Sequence, residues 1–384
     1  MKTTLSAANP IEPTLSSRKI ESRAIYFAGV SGVIAFLVSF VFFYPEIVPL
    51  FGRQSIGFMA SVIASLTALV IFFIVAKQQN MAQTTDHLSL YRKFHIVFTT
   101  AALAFVHAAV VFLAFAAGFF LVQDAFKGLS LDSLTASILV AVSVALSSYA
   151  VYLAAVHINT VRVSSVLALF LVSGALTSMI TAENPQWWEI HFSSLGGDDT
   201  LSSAAFNITL IVAGIVIVSL SDYIANDFAK LRTTKPKYIK DKANVIRIVL
   251  ALIGLFLAFV GLFAYNEYPE LHNTSAGGMA ILFIGLVLGL PWLVPSFSRA
   301  FFGFSYGLMA TLVVCYWLFV GIGYLNLTAF ELIAASIIFG WLVVFVRQIA
   351  ADLMDSRQEA YDAAQVTIPQ TAVVKKAKKP AKKK

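Results

Sequence analysis

Ten uninterrupted apolar segments, each about as long as a membrane-spanning helix, constrain this chain more than any other feature. A hydrocarbon core of ~30 Å requires about 20 consecutive apolar residues in a helix. The segments lack the two-residue alternation of a lipid-facing barrel strand, so helices are the predicted elements. The spans are predicted at about 24–43, 56–76, 96–122, 134–156, 163–182, 203–223, 245–265, 279–294, 301–324 and 327–346. The predicted fold class is an all-α, polytopic transmembrane helix bundle of ten spans.

The composition excludes several classes of protein. Only 12% of the residues are charged and 59% are hydrophobic, which is typical of a polytopic membrane protein. Cys315 is the only cysteine, so the sequence excludes a disulfide framework and a cysteine-based metal site. The sequence contains no P-loop, dinucleotide fingerprint, serine nucleophile elbow or His-Glu-x-x-His motif. A primary pump and a soluble-type enzyme domain are therefore disfavoured.

The distribution of basic residues predicts the orientation. Lys and Arg accumulate on the cytoplasmic side of membranes. With both termini inside, all of the 27 Lys and Arg residues except Arg53 and Lys127 fall on the cytoplasmic side. The first span has no small-residue cleavage site after it and is expected to be a retained anchor. We therefore predict a multi-pass protein of the cell membrane with cytoplasmic N- and C-termini.

The positions of the spans and of the basic residues divide the chain into four regions and indicate its partners. We predict a cytoplasmic N-terminal tail at 1–23, a four-span region at 24–158, a six-span module at 159–350 and a cytoplasmic Lys-rich tail at 351–384. The formal net charge of +7 is explained by topology, so membrane lipids are the expected partners and nucleic acid is not. The tail is expected to attract anionic lipid headgroups weakly.

Two loops of the six-span module have closely similar sequences. The segments 189–197, EIHFSSLGG, and 270–278, ELHNTSAGG, align without gaps and are identical at five of nine positions. Both follow an outward span and precede a returning one, at a spacing of 81 residues. This similarity predicts an internal duplication of a helix–loop–helix hairpin.

The spacing of the shared residues suggests an extended conformation. Residues two apart point to the same side of an extended segment, so Glu189, His191 and Ser193 would share one side, and Glu270, His272 and Thr274 another. Each Gly pair is expected to permit a sharp turn into the returning helix.

The paired motifs HFSSLGG and HNTSAGGM resemble the loop motifs of DRAM-like membrane proteins. They are most similar to the bacterial relatives grouped as domain of unknown function nine hundred ninety-eight. The resemblance covers about residues 160–350 and implies a six-helix membrane module. It also implies that the polar signature residues lie on the outer face; these are Ser193, Leu195, Gly196, His272, Asn273 and Gly277.

The candidate outer-face polar site can be interpreted in three ways. It comprises Glu189, His191, Ser193, Ser194, Glu270, His272, Asn273, Thr274 and Ser275. In the first interpretation, small polar residues, Asp198 and Asp199 among them, cap helix ends while Glu and His bond between loops. In the second, Glu189, His191, Glu270 and His272 converge on zinc or another divalent metal ion. In the third, the helix ends and the interfacial Trp187 and Trp188 recognise a lipid or glycan headgroup.

His107 and Glu331 are further candidates for function, because they are ionisable residues within predicted spans. His107 lies near the middle of the third span, where a hydrogen bond to a neighbouring helix is the simpler role. Glu331 lies about one turn inside the last span and is expected either to join the outer cluster or to reach the interface.

The sequence leaves two hypotheses for molecular function. One is a membrane protein that binds, senses or moves a lipid-like molecule at the outer membrane face. The other is a membrane-embedded hydrolase or transferase that uses the outer Glu, His and Ser side chains, with or without a metal.

Overall fold

The computed structural model describes residues 17–82, 90–197, 200–234 and 240–366. The predicted tail before residue 17, the predicted caps Asp198 and Asp199, and the Lys-rich tail from residue 367 lie outside these ranges. Within them, ten helices are long and apolar enough to cross a membrane. The helices are α1 Ser17–Phe43, α2 Ile56–Ala82, α3 Leu90–Ala125, α4 Ser133–Val156, α5 Thr160–Ile180, α6 Leu201–Thr234, α7 Lys240–Leu262, α8 Pro269–Leu293, α9 Arg299–Val320 and α10 Leu327–Val366. The prediction of an all-α bundle with ten spans is confirmed.

The chain forms two compact units, which meet in sequence between Ile158 and Asn159. Unit 1 contains α1 to α4, and unit 2 contains α5 to α10. Two short strands, β1 Ile47–Pro49 and β2 Ser130–Asp132, pair antiparallel in unit 1. Two 3-10 helices, Trp187–Glu189 and Phe192–Gly196, occupy the connection between α5 and α6 in unit 2.

Small side chains allow two helices of unit 1 to approach closely. A Cβ atom at Gly32 of α1 would lie 3.1 Å from the Ala145 Cβ of α4, so the two helices approach closely there. Ser31 Oγ donates a 2.8 Å hydrogen bond to Ser148 Oγ of α4. At the end of the unit, Asp132 caps α4 by accepting the backbone N–H groups of Leu134 and Thr135.

The hydrogen bond of His107 differs from the expected bond to a neighbouring helix. Its Nδ1 donates a 2.8 Å hydrogen bond to the carbonyl oxygen of Leu103, one turn earlier in α3. Its ring stacks on Phe72 of α2 at a centroid distance of 4.0 Å. The imidazole therefore packs between two helices of unit 1 and bonds to its own helix instead of to a neighbouring one.

In unit 2, α6 and α7 cross where both helices lack a side chain. A Cβ at Gly214 would lie 2.4 Å from the carbonyl oxygen of Gly254, and a Cβ at Gly254 would lie 2.6 Å from that of Gly214. Two backbones in direct contact explain why both positions are glycine. At the start of α6, Ser202 and Ser178 of α5 exchange hydrogen bonds.

The two ends of unit 2 differ in chemistry. At one end α5, α7 and α9 finish and α6, α8 and α10 begin; we call it the polar end. The opposite end contains Lys230, Lys242, Arg247, Arg299 and Arg347, and we call it the basic end. The segments joining helices at the polar end, 181–200, 263–268 and 321–326, contain no Lys or Arg in the sequence.

Candidate functional site

The loop between α5 and α6 is anchored by three asparagine side chains. The Nδ2 atom of Asn326, just before α10, donates a 3.0 Å bond to the carbonyl oxygen of Trp188. Asn266, between α7 and α8, donates in the same way to Gly197 at 3.0 Å. Asn207 of α6 donates to Gly196 at 2.9 Å. Three separate segments therefore fix the main chain of this loop.

Glu331 of α10 binds the start of the second 3-10 helix. Its Oε2 accepts a 2.6 Å hydrogen bond from the backbone N–H of Phe192, and the carboxylate also accepts one from the backbone N–H of Ser193. These N–H groups have no partner within the short helix, so the carboxylate satisfies both. Of its two expected roles, Glu331 has the first, which is to join the cluster at this end.

His191 is buried directly before the second 3-10 helix, with 8% of its surface exposed. Its ring meets the ring of Tyr265 edge to face at a centroid distance of 4.2 Å. The imidazole makes no hydrogen bond with any residue in the described part of the chain. Burial, followed by the nearby charge of His272, lowers the pKa of His191, so the ring is neutral at pH 7.

His272 lies in the first turn of α8 and caps the end of α7. Its Nδ1 donates a 2.8 Å hydrogen bond to the carbonyl oxygen of Phe263, just past the last residue of α7. Carbonyl groups at a helix C-terminus lack partners within the helix, and this side chain supplies one. His272 is 4% exposed, so its contribution is made inside the bundle.

Tyr265 lies between the two histidines. Its ring centroid is 5.7 Å from that of His272, also edge to face, and 4.2 Å from that of His191. The two imidazole centroids therefore lie no further apart than these two distances added together. We call His191, Tyr265 and His272 the His–Tyr–His cluster.

The remaining predicted site residues divide into exposed and buried groups. Glu189, Glu270, Asn273 and Thr274 are exposed, whereas Ser193 and Ser275 are buried and Ser194 is half-buried. The structure thus brings the two histidines to one tyrosine and leaves both predicted carboxylate ligands at the surface.

The expected extended conformation is wrong for the second loop. Residues 270–278 form the first turns of α8, which begins at Pro269. Positions two apart on a helix are separated by about 200° around its axis. For this reason His272 is buried while Glu270 and Thr274 are exposed. The first loop differs, because two 3-10 helices flank His191, so the duplication stays a prediction.

The Gly pairs do not act as predicted. Among the described residues, positive φ angles occur only at Gly52, Gly128 and Gly323. Gly196 and Gly197 instead allow close contact, because a Cβ at Gly196 would lie 2.5 Å from Asn207 Oδ1 and one at Gly197 would lie 2.4 Å from Asn266 Nδ2. Their role is to let the anchoring asparagines reach the main chain.

The serine hydroxyls of the site bond to the main chain. Ser194 Oγ donates to the carbonyl oxygen of His191 at 2.6 Å, and Ser275 Oγ donates to that of Leu271 at 2.7 Å. A nucleophilic serine needs a base within hydrogen-bond reach of its hydroxyl. Neither hydroxyl is hydrogen-bonded to an imidazole.

The capping interpretation applies to α6 and not to α8. Thr200 Oγ1 accepts a 3.2 Å bond from the backbone N–H of Ser203 at the start of α6. At α8 the N-cap residue is Tyr268, which makes no side-chain capping bond.

The predicted metal ligands are the His and Glu side chains of the two loops. Among the described residues, no group of three or more His, Cys, Asp or Glu side chains is arranged to hold a metal ion. A zinc site requires three or four such ligands. Shared ligation by Glu189, His191, Glu270 and His272 stays a prediction.

A further polar group at this end makes no hydrogen bond within the described part of the chain. Thr328, in the first turn of α10, is 3% exposed, and its Oγ1 makes no hydrogen bond to the described residues. Thr328 and Glu331 are three residues apart, so they lie on the same face of α10. A buried hydroxyl without a partner is unusual in a folded protein.

Sequence reasoning identified His191, His272 and Glu331 but missed Tyr265 and the three anchoring asparagines. The only sequence signal for them is a polar residue at a helix end next to a loop. Comparison with protein-family models, with curated proteins and with solved structures finds no match to this chain.

Proposed function

We propose that unit 2 binds the polar head of a lipid-like molecule at its polar end, at the His–Tyr–His cluster. One observation carries the proposal: His191 is a buried imidazole that hydrogen-bonds to no described residue. A neutral imidazole offers one donor and one acceptor. The nitrogens of a largely buried imidazole that is unpaired among the described residues can be satisfied by water or by a ligand that reaches them.

The charge of the polar end favours a neutral or amine-bearing head. Its connecting segments contain Glu183, Glu189, Asp198, Asp199, Glu267 and no Lys or Arg in the sequence. The ionisable side chains that a phosphate would meet there are negative or neutral, and like charges repel. Hydroxyl and ammonium groups can instead bond with an imidazole nitrogen or a carboxylate oxygen.

The surroundings of the cluster favour an amphipathic ligand. Trp188 and Ile190 flank Glu189 in the sequence and are 49% and 54% exposed. Tryptophan at the end of membrane spans is typical of the bilayer interface. A molecule with its acyl chains in the bilayer would therefore place its head at the depth of His191.

The orientation and family of the protein belong to the same proposal. The basic residues support an outer location for the polar end. The resemblance to DRAM-like proteins supports a six-helix module with polar outer loops, and it remains a proposal.

A hydrolase or transferase would need a hydroxyl held against a base, and no contact in the described residues favours that alternative.

The test is lipid retention by the full-length protein. The protein would be purified and exchanged into micelles that contain phosphatidylethanolamine, a monogalactosyl diacylglycerol and phosphatidylglycerol, and bound lipids would be counted by native mass spectrometry. We expect retention of the amine or sugar lipid, and His191→Phe to weaken it about tenfold because one charged or polar hydrogen bond is lost. His191→Phe keeps an aromatic ring against Tyr265.

The control is Asn273→Ala, which removes an exposed polar side chain from α8. It should leave lipid retention unchanged. Equal retention of every lipid by wild type and His191→Phe would overturn the proposal. A selective loss of phosphatidylglycerol in His191→Phe would overturn the assignment of a neutral or amine-bearing head.

A further inference from the structure

Most described cations at the basic end of unit 2 are engaged within the protein. Arg247 of α7 contacts Asp222 of α6 through two nitrogens, Nε at 2.6 Å and Nη2 at 2.5 Å. Lys230 pairs with Asp227 at 3.0 Å. Lys242 donates to the carbonyl oxygen of Trp292 at 2.6 Å and lies over its ring at 4.7 Å. The Arg247 and Lys242 contacts join different helices, whereas the Lys230 pair lies within α6.

Arg299 and Arg347 differ from these cations. Both are exposed, and neither guanidinium makes an ion pair or hydrogen bond with a residue in the described ranges. Arg299 is the first residue of α9 and Arg347 lies in α10. An arginine left unpaired next to a bilayer is available to an external anion.

The two arginines are brought to the same level of the bundle. Ser298, directly before Arg299, donates a 3.3 Å hydrogen bond to Gln348 Oε1, directly after Arg347. The backbones that carry the two guanidinium groups are therefore neighbours across the contact between α9 and α10.

Aromatic side chains fill the contact between α9 and α10. Trp341 stacks on Phe345 at 4.9 Å, and Phe301 lies 6.2 Å from Trp341 and 6.1 Å from Phe345. Trp341 Nε1 also donates a 2.9 Å hydrogen bond to the buried Ser305 Oγ. The separation of the two arginine-bearing helix segments is thus fixed by a packed core.

Exposed apolar and aromatic side chains follow Arg299 along α9. Phe304 and Tyr306 are 42% and 39% exposed, and further along α9 Val313 and Val314 are 64% and 52% exposed. In a helix long and apolar enough to cross a membrane, such side chains contact acyl chains. An anion bound at Arg299 would therefore have lipid tails directly below it.

We propose that Arg299 and Arg347 together bind the phosphate of an anionic phospholipid. Guanidinium groups bind phosphate oxygens through paired, charge-assisted hydrogen bonds. Arginines at the ends of membrane spans lie at the depth of lipid phosphates. The site is independent of the proposed function, because it lies at the opposite end of unit 2 and takes a lipid of opposite charge preference.

The experiment measures phosphatidylglycerol bound to the full-length protein. Protein in mixed micelles of phosphatidylglycerol and phosphatidylcholine would be examined by native mass spectrometry. We expect the double variant Arg299→Gln/Arg347→Gln to lose one retained phosphatidylglycerol, and each single variant to weaken its binding about tenfold. Thermal unfolding should match wild type, since both side chains are exposed.

A matched control removes two guanidinium groups elsewhere. Arg18 and Arg23 are exposed on α1 of unit 1, so Arg18→Gln/Arg23→Gln changes the net charge equally and should retain the lipid. An unchanged lipid count in the Arg299 and Arg347 double variant would overturn the proposal, as would an equal loss in the control. Displacement of the lipid by inorganic phosphate at low concentration would identify a soluble phosphate site and overturn the lipid assignment.

Discussion

Glu331 in α10 accepts a 2.6 Å hydrogen bond from the main-chain N–H of Phe192, a residue 139 positions earlier in the chain. Asn326, before the same helix, bonds to the main chain of Trp188. The start of α10 therefore holds both 3-10 helices of the loop that contains His191.

Replacement of Glu331 tests this connection. We expect Glu331→Leu to loosen the loop, because the backbone N–H groups of Phe192 and Ser193 lose their acceptor at a cost of about 1–3 kcal/mol. Hydrogen exchange of amides in the segment 187–197 should become faster. Glu189→Gln changes an exposed carboxylate in the same loop and should leave exchange unchanged. Equal protection in wild type and Glu331→Leu would show that the carboxylate does not anchor the loop.

His191 should make the stability of unit 2 depend on pH. Burial lowers the pKa of its imidazole below the ordinary value of 6.5. The unfolded chain then binds a proton more readily than the folded one, so the stabilisation is fully present above 6.5. It is lost as the pH falls from 6.5 through the folded pKa.

Thermal unfolding at about pH 7.5 and about pH 5.5 measures this dependence. We expect the decrease in Tm on acidification to be smaller in His191→Gln than in wild type. His157→Gln replaces an exposed histidine of unit 1 and should show the wild-type decrease. An identical decrease in Tm in all three proteins would contradict the assignment of the pH dependence to His191.

The fold could be predicted because hydropathy directly reports membrane burial. The largest error in the start of a described helix concerns α8, whose predicted span starts at residue 279, whereas the helix starts at Pro269. The polar residues of 269–278 indicate a loop when only hydropathy is considered. Proline at the first position and Glu270 in the first turn are typical of a helix start, and these local signals outweigh polarity.

The site could be predicted only in part. His191 and His272 are recognisable because ionisable residues are rare in an apolar chain. Tyr265 and the anchoring Asn326 are not recognisable in the sequence, because their roles arise from the approach of loops that are distant in sequence. No local periodicity encodes such contacts. Burial likewise depends on which side of α8 faces the bundle, which is why the exposed Glu270 was grouped with the buried His272.

The close crossing of α6 and α7 predicts that replacing Gly254 by Ala and replacing Gly285 by Ala have different effects on stability. Gly254→Ala places a Cβ about 2.6 Å from the Gly214 carbonyl oxygen, so the helices must separate. Overpacking of this kind costs about 1–3 kcal/mol. Gly285 of α8 has no atom within 4 Å of a built Cβ, so Gly285→Ala should be neutral or slightly stabilising. Thermal unfolding in detergent measures both, and equal Tm values would contradict the close crossing.

The orientation of the bundle is the last prediction. Because all 27 basic residues except Arg53 and Lys127 fall on one side of the predicted topology, the polar end of unit 2 should face outward. The buried Cys315 can be changed to Ser, and single cysteines placed at the exposed positions Glu189 and Asp355. A membrane-impermeant maleimide should label Glu189→Cys in intact cells and Asp355→Cys only after permeabilisation. Labelling of Asp355→Cys from outside would invert the topology and place the His–Tyr–His cluster at the cytoplasmic face.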